Sequence, residues 1–228
     1  MNAKDKLIFA LDVPSLNQTQ QLIAMLHDHV GAFKIGLELF CAVGPRILYE
    51  PMLQDTPVLL DLKLCDIPAT VERTVKRFQS NTLLGITVHT QGGKKMLEAA
   101  TSVGVPIYGV TVLTSLNDDD LRRECAMHTQ DLVRIRAQLA AETGCSGIVA
   151  SPLELQELRQ KHGFEIITPG IRLTSSDDDQ KRTDSPCAAI VQGASRLVVG
   201  RPIRDAADPV KAADTIVEHI SMAMGSQS

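Results

Sequence analysis

The segment from Val58 to Pro68 carries the densest group of side chains that could perform chemistry. It places Asp61, Lys63 and Asp66 at the end of an apolar run. On a β-strand, residues two apart project to the same side, so Asp61 and Lys63 are expected to lie together. Two carboxylates beside one ammonium cost desolvation energy unless they pair closely. Such clusters are typical of catalytic sites, and the alternative is a buried ion pair that only stabilises the fold.

A second group could bind an oxyanion. Arg172 ends a Thr-Pro-Gly-Ile-Arg corner, and Gly200 and Arg201 lie in a Val-Gly-Arg-Pro segment. Glycine lets a backbone N–H approach an anion, while arginine offers a planar donor fork. The polar stretch 173–181, which contains Gln180, has the composition of a mobile lid. Together these segments predict a phosphate site.

The elements that position these groups follow from the apolar patterning. Short runs rich in Val, Ile and Leu predict buried parallel strands, and they lie at Leu7–Val13, Phe33–Leu37, Val58–Leu64, Gly85–His89, Ile107–Leu113, Gly147–Ala150, Glu165–Ile171 and Arg196–Gly200. Amphipathic stretches between them predict helices, among them Leu16–Val30, Thr70–Gln79, Leu121–Thr143 and Pro209–Met224. Asp208 is the expected N-cap of the last helix, with proline at its first position.

Strict alternation of strands and helices predicts an α/β fold with a parallel sheet. Eight units in 228 residues favour a single-domain (β/α)8 TIM barrel over residues 1–228. The alternative is an open doubly wound sheet. That fold usually has a glycine-rich turn after its first strand, whereas here the strand runs into Asp12, Val13 and Pro14.

Polar groups mark nearly every predicted strand end, where a barrel carries its chemistry. In chain order they are Asp12, Lys34, the Asp61/Lys63/Asp66 cluster, His89, Thr114, Ser151, the 169–172 corner and Gly200-Arg201. This arrangement predicts an enzyme.

Composition excludes several classes of function. A net charge of −4 and the absence of Trp disfavour a nucleic-acid partner. The first apolar stretch is too short to cross a membrane and has no signal-peptide cleavage pattern. The five cysteines are odd in number and contain no C-x-x-C pair, which predicts reduced thiols and a cytoplasmic protein. The acidic cluster 118–120 is explained by the dipole of a helix start, so no metal site is predicted there.

Several segments of the sequence resemble those of a known family. Asp61-x-Lys63-x-x-Asp66-Ile67-Pro68, the Thr-Pro-Gly-Ile-Arg corner and the Val-Gly-Arg-Pro segment are similar to motifs of the bacterial orotidine 5′-phosphate decarboxylases. Ala10-Leu11-Asp12 and the Phe-Lys-Ile-Gly segment around Lys34 fit as well. The resemblance implies conversion of orotidine monophosphate to UMP in pyrimidine biosynthesis, without a cofactor. It also implies a homodimer whose subunits share their active sites.

The resemblance implies individual roles. Lys63 would donate a proton to C6 of the pyrimidine, and Asp61 would face the departing carboxylate. Lys34 and Asp66, the latter from the partner subunit, would add to the charges of Asp61 and Lys63 and contact the ribose. The remaining expected contacts are Asp12 and Thr70 to the ribose, Thr114 and Ser151 to the base, and Arg172, Gln180, Gly200 and Arg201 to the phosphate.

Two other readings stay open. A 3-keto-gulonate-phosphate decarboxylase or a hexulose-phosphate synthase would share the barrel but would require magnesium, and its signature typically continues with Ala-Gly where this chain has Ile67-Pro68. A phosphate-binding barrel without activity would have no reason to keep Lys63 inside a complete charged row.

Overall fold

The computed structural model describes residues 1–78, 82–122, 127–161, 163–172 and 184–225. Its eight strands are β1 Leu7–Ala10, β2 Ala32–Gly36, β3 Val58–Leu64, β4 Leu83–His89, β5 Ile107–Val110, β6 Gly147–Val149, β7 Glu165–Thr168 and β8 Arg196–Val199. Each pairs in parallel with the next, and β8 pairs with β1 to close the barrel. The predicted TIM barrel is therefore confirmed.

Helices follow the strands around the barrel. They are α1 Leu16–Leu26, α2 Leu37–Val43, α3 Pro68–Val75, α4 Lys94–Thr101, α5 Asp118–Arg122, α6 Thr129–Glu142, α7 Leu155–Lys161, α8 Pro186–Gln192, α9 Arg201–Arg204 and α10 Pro209–Gly225. The predicted cap of α10 is confirmed, because the Asp208 carboxylate accepts a hydrogen bond from the N–H of Lys211 at 3.0 Å. Among the described residues, no helix is long and apolar enough to cross a membrane.

Side-chain alternation separates two apolar regions. Ile8, Ala10, Ala32 and Leu59 point into the barrel and pack together there. Their neighbours, such as Phe9, face outward and join the larger core between the strands and the helices. Side chains alternate with a period of two along a strand. Lys34 on β2 and Asp61 on β3, each two residues after one of these inward residues, therefore also face the interior.

The predicted helix Leu121–Thr143 is wrong as a single element. The chain forms α5 and α6 instead, and His128 just before α6 has extended backbone (ψ 149°). Asp118 provides the reason. Its carboxylate accepts hydrogen bonds from the backbone N–H and the hydroxyl of Thr129, at 2.8 and 2.7 Å. A side chain thus satisfies a donor at the first turn of α6, where the helix itself offers no carbonyl.

Several predicted strands extend too far at their carboxyl ends. Leu11, Val13 and Val112 lie beyond the observed strands, yet all three are buried. Apolar character in the sequence reports burial, and these residues are buried without being part of a strand.

Candidate active site

A cavity of about 510 Å³ opens at the carboxyl ends of the barrel strands. Its wall is formed by inward residues at or beyond the strand ends together with residues of the following connections. Predicted site residues that line it are Asp12, Lys34, Asp61, Lys63, Thr114, Arg172, Gly200 and Arg201. The volume is within the usual range for a small-molecule site.

Four side chains of alternating charge form one wall, which we call the charged row: Asp12, Lys34, Asp61 and Lys63. Lys34 Nζ lies 2.8 Å from Asp12 Oδ1 and 3.5 Å from Asp61 Oδ2. Lys63 Nζ donates to Asp61 Oδ1 at 2.8 Å and to Asp61 Oδ2 at 2.9 Å. Asp61 therefore lies between two ammonium groups.

Exposure differs along the row. The side chains of Lys34 and Asp61 are only 10% and 13% exposed, whereas that of Lys63 is 33% exposed. The buried pair is held firmly, and the Lys63 ammonium remains accessible to a molecule in the cavity. This is the arrangement that a proton donor requires.

The charges of the row control the ionisation of Asp61. Burial raises the pKa of this carboxyl group. The charges of Lys34 and Lys63, with hydrogen bonds from Lys63 and Thr87, outweigh burial and lower the pKa below its ordinary value. Asp61 is therefore an anion at neutral pH.

The contact between Asp61 and Lys63 depends on an irregularity in β3. Leu60 pairs with Ile86 and Leu64 pairs with Val88. Between these two pairs β3 therefore contains more residues than β4. Lys63 has φ 48°, and it is the one non-glycine residue with positive φ among those described. A left-handed conformation costs about 1–2 kcal/mol. The simple alternation used in the sequence prediction does not hold here, although the two charges do meet.

Three residues that sequence reasoning missed support the row. The Thr87 hydroxyl accepts from Lys63 N at 2.9 Å and donates to Asp61 Oδ1 at 2.8 Å. A Cβ at Gly36 would lie 2.8 Å from Asp12 Oδ1 and 2.9 Å from Lys34 Nζ, so glycine leaves room for this pair.

Arg204 is the third missed residue. It lines the cavity, donates to the Asp12 carbonyl at 2.8 Å, and is held by Asp205 at 2.6 and 3.0 Å. Its position one helical turn after Arg201 was the available signal.

Another part of the wall carries the predicted oxyanion-binding groups. Gly170 has φ 82°, a conformation that favours glycine. Its carbonyl accepts from Asp184 N at 3.2 Å, and Arg172 N donates to Asp184 O at 3.0 Å. These bonds fix the backbone on either side of the stretch 173–183. Gln180 lies outside the described residues.

Three predicted site residues do not line this cavity. The exposed Asp66 carboxylate accepts from Ile67 N at 2.6 Å, and Thr70 lies in α3. Ser151 is fully buried and caps a short 3-10 helix, where its hydroxyl accepts from Leu153 N at 3.2 Å. Their substrate contacts stay predictions.

His89 ends β4, as the sequence indicated, and its Nδ1 accepts from Gln91 N at 3.2 Å. Burial, followed by the charges of Arg136 and Lys63, lowers the pKa of this histidine. The ring is therefore neutral at physiological pH, and it does not line the cavity.

Within the described residues, no group of three or more His, Cys, Asp or Glu side chains could hold a metal ion. The acidic cluster 118–120 opens α5, as predicted. Asp118 also pairs with His128 at 2.7 Å.

Comparisons with known proteins give a consistent result. The model of the family described as "Orotidine 5′-phosphate decarboxylase / HUMPS family" matches residues 5–216. A protein from Wolbachia pipientis named orotidine 5′-phosphate decarboxylase is 42% identical, over 94% of this chain and 98% of its own length. One from Desulfosudis oleivorans with the same name is 43% identical, over 97% and 95%.

The fold has matching solved structures. That of orotidine 5′-phosphate decarboxylase from Lactobacillus acidophilus has a TM-score of 0.82 and 33% identity, covering 94% of this chain and 98% of that one. The structure of the enzyme from Pyrococcus horikoshii, at 23% identity and a TM-score of 0.78, matches in fold.

Proposed function

Because the chain belongs to the orotidine 5′-phosphate decarboxylase / HUMPS family, we propose that it is a carboxy-lyase that converts orotidine 5′-phosphate to UMP in pyrimidine biosynthesis. The observation that carries the proposal is the charged row facing a cavity that arginines also line. Relatives named as this decarboxylase, with 40–43% identity across nearly their whole length, support the same reaction.

In the proposed reaction, Lys63 supplies the proton. The bond between C6 and the carboxylate breaks, CO₂ leaves, and the electron pair stays on C6. The Lys63 ammonium stabilises this charge and transfers a proton to C6, which leaves a neutral amine that regains its proton from solvent. The exposure of Lys63 and its hydrogen bonds to Asp61 support this role.

Asp61 and Lys34 act on this step through charge. The Asp61 anion pairs with the Lys63 ammonium and would lie close to the substrate carboxylate, which it repels. Lys34 forms ion pairs with both Asp61 and Asp12 and so holds the side chains of the row in position. Asp12 is the more exposed end, with 43% of its side chain accessible, and this supports its contact with a ribose hydroxyl.

The phosphate is proposed to bind Arg172, Gly200 and Arg201, with Gln180 contributing from the stretch 173–183. Binding of a remote dianion supplies free energy that can organise the reacting end of the substrate. The base would contact Thr114, which lines the cavity, and Ser151, whose hydroxyl can donate its proton while it accepts the capping bond from Leu153 N.

The resemblance also implies a cytoplasmic homodimer that needs no metal or organic cofactor. Asp66 would enter the active site of the partner subunit and Thr70 would contact the ribose. Exposure of Asp66 and of its apolar neighbour Ile67, which is 65% exposed, supports an interface at this place.

The test is to mix purified protein with orotidine 5′-phosphate and follow pyrimidine absorbance and CO₂ release, with and without a chelator. The proposal predicts stoichiometric UMP and CO₂ and no effect of the chelator. Activity on a sugar phosphate that is abolished by the chelator would instead support the magnesium-dependent relatives. Binding of UMP without turnover would support a silent barrel.

Sharing of active sites has its own test. Lys63→Ala and Asp66→Asn homodimers should each be inactive. Subunit exchange should restore activity, because each mixed dimer has one site with neither substitution. A mixture that stays inactive after proven exchange would contradict sharing.

A further inference from the structure

Thr87 occupies a central position under the charged row. It lies on β4 and is fully buried. Its hydroxyl accepts from the backbone N–H of Lys63 at 2.9 Å and donates to Asp61 Oδ1 at 2.8 Å. One side chain thus contacts the backbone of the proposed proton donor and the carboxylate of its partner.

The first hydrogen bond compensates for the irregularity in β3. Where β3 leaves its register with β4, the N–H of Lys63 loses the regular ladder arrangement. A backbone donor at this partly buried position requires a partner, and the Thr87 hydroxyl is that partner. It therefore stabilises the left-handed conformation of Lys63, from which the ammonium returns to Asp61.

The second hydrogen bond orients the carboxylate. A hydroxyl has one proton, so Thr87 gives it to Asp61 while it accepts from Lys63 N. Asp61 Oδ1 is thereby fixed between Thr87 and Lys63, and Oδ2 lies toward Lys34 at 3.5 Å.

Two other buried threonines, Thr90 and Thr111, make a different kind of hydrogen bond. Thr90 donates to the Val110 carbonyl at 2.8 Å, and Thr111 donates to the Val149 carbonyl at 3.1 Å. Each of these bonds joins a side-chain hydroxyl to the backbone carbonyl of a neighbouring segment, and neither involves the charged row. Thr111 provides a matched control because it is also fully buried.

We infer that Thr87 is a positioning residue: its hydroxyl sets the backbone of Lys63 and the carboxylate of Asp61 so that the ammonium faces the substrate. The inference rests on the proposed function for its effect on turnover. Its structural part, that the ion pair depends on the hydroxyl, can be tested without turnover.

The experiment compares wild type, Thr87→Val, Thr87→Ser and Thr111→Val. Valine keeps the shape and removes the hydroxyl, and serine restores it. We expect Thr87→Val to lower kcat about 10²-fold, as for a small misplacement of reacting groups, with a smaller change in KM because the arginines are untouched. Thr87→Ser should recover most of kcat, and Thr111→Val should resemble wild type.

A pH profile adds a readout that a loss of stability would not change. The Thr87 hydrogen bond helps to lower the pKa of Asp61. Its removal should raise that pKa, so the acid limb of kcat should move to higher pH in Thr87→Val. If valine prevents folding, Thr87→Ala replaces it.

Crystal structures of Thr87→Val and wild type complete the test. We expect Lys63 to leave positive φ or its ammonium to leave Asp61. If wild type is active and Thr87→Val keeps its kcat and acid limb, the inference is overturned and the proposed function stands. If wild type does not decarboxylate, the proposed function fails, and an unchanged ion pair in the variant would still overturn the inference.

Discussion

Lys63 Nζ donates to both carboxylate oxygens of Asp61, at 2.8 and 2.9 Å, although only Leu62 separates the two residues. The contact arises where β3 leaves its register and Lys63 adopts φ 48°. Strain at such a site persists only when the surrounding structure stabilises it. Here the stabilisation comes from β4 through Thr87 and from the charges of the row, and the proposed chemistry depends on this local departure from a regular strand.

Gly36→Ala should disturb the pairing of Asp12 with Lys34 in the charged row. The added Cβ would be 2.8 Å from Asp12 Oδ1 and 2.9 Å from Lys34 Nζ, so one of these groups must move. We expect kcat/KM for orotidine 5′-phosphate to fall about 10²-fold with the protein still folded. Gly163→Ala is the control, since a Cβ there meets no atom within 4 Å. Equal activity of the two variants would contradict the steric argument.

Arg201→Ala should mainly weaken substrate binding. Arg201 lines the cavity beside Gly200, where the phosphate is proposed to bind. Loss of a hydrogen bond to a charged group costs about 2 kcal/mol, which corresponds to roughly a 30-fold higher KM. Activity on unphosphorylated orotidine should not change. Arg134→Ala, on an exposed face of α6, is the control, and an unchanged KM in Arg201→Ala would remove this residue from the phosphate site.

Tyr108→Phe should affect stability and leave activity intact. Tyr108 is buried near the amino end of β5, and its hydroxyl donates to Glu165 Oε2 at 2.7 Å. Burial, and then this hydrogen bond, raise the pKa of Tyr108, so the phenol stays protonated. Loss of the Tyr108 hydroxyl and its hydrogen bond should lower the free energy of unfolding, measured by urea titration, by about 1–2 kcal/mol. Tyr49→Phe, at a largely exposed tyrosine, should change neither stability nor activity. A reduced kcat in Tyr108→Phe would contradict the expectation that this end of the barrel takes no part in the reaction.

Stability should depend on pH through Asp61. Its folded-state pKa is lowered from 3.8, so the ionised form stabilises the fold above that value. The contribution is lost as the pH falls through the lower folded-state pKa. Urea titrations should therefore show a steeper loss of unfolding free energy below about pH 4 in wild type than in Asp61→Asn. Substitution of the exposed Asp55 by asparagine should preserve the wild-type slope. Parallel curves for wild type and Asp61→Asn would refute the assignment.

The sequence predicts the barrel because buried parallel strands are nearly continuous apolar runs, and eight such runs alternate with helices. It also predicts eight of the residues that line the cavity, because a barrel carries its chemistry at the carboxyl ends of its strands. The prediction of a single helix over residues 121–143 fails. The Asp118 carboxylate accepts a hydrogen bond from Thr129 N at the start of α6, and no local sequence pattern reveals that contact.

The supporting residues of the site were harder to predict. Thr87 lies inside β4 and not at its end, and Gly36 has no side chain, so the roles of both exist only across neighbouring strands. Spacing was the available signal, because Gly36 lies two residues after Lys34. The irregular register of β3 depends on pairing with β4, which one strand's sequence does not contain. The role proposed for Asp66 would require a second subunit.

The most direct measurement is the rate of UMP formation by Lys63→Ala beside wild type, with UMP binding followed by calorimetry and Lys76→Ala as a surface-lysine control. We expect Lys63→Ala to lower kcat at least about 10⁴-fold, because proton transfer and charge stabilisation are lost together. Folding and UMP binding should be retained, and Lys76→Ala should behave as wild type. Turnover by Lys63→Ala at the wild-type rate would contradict the account.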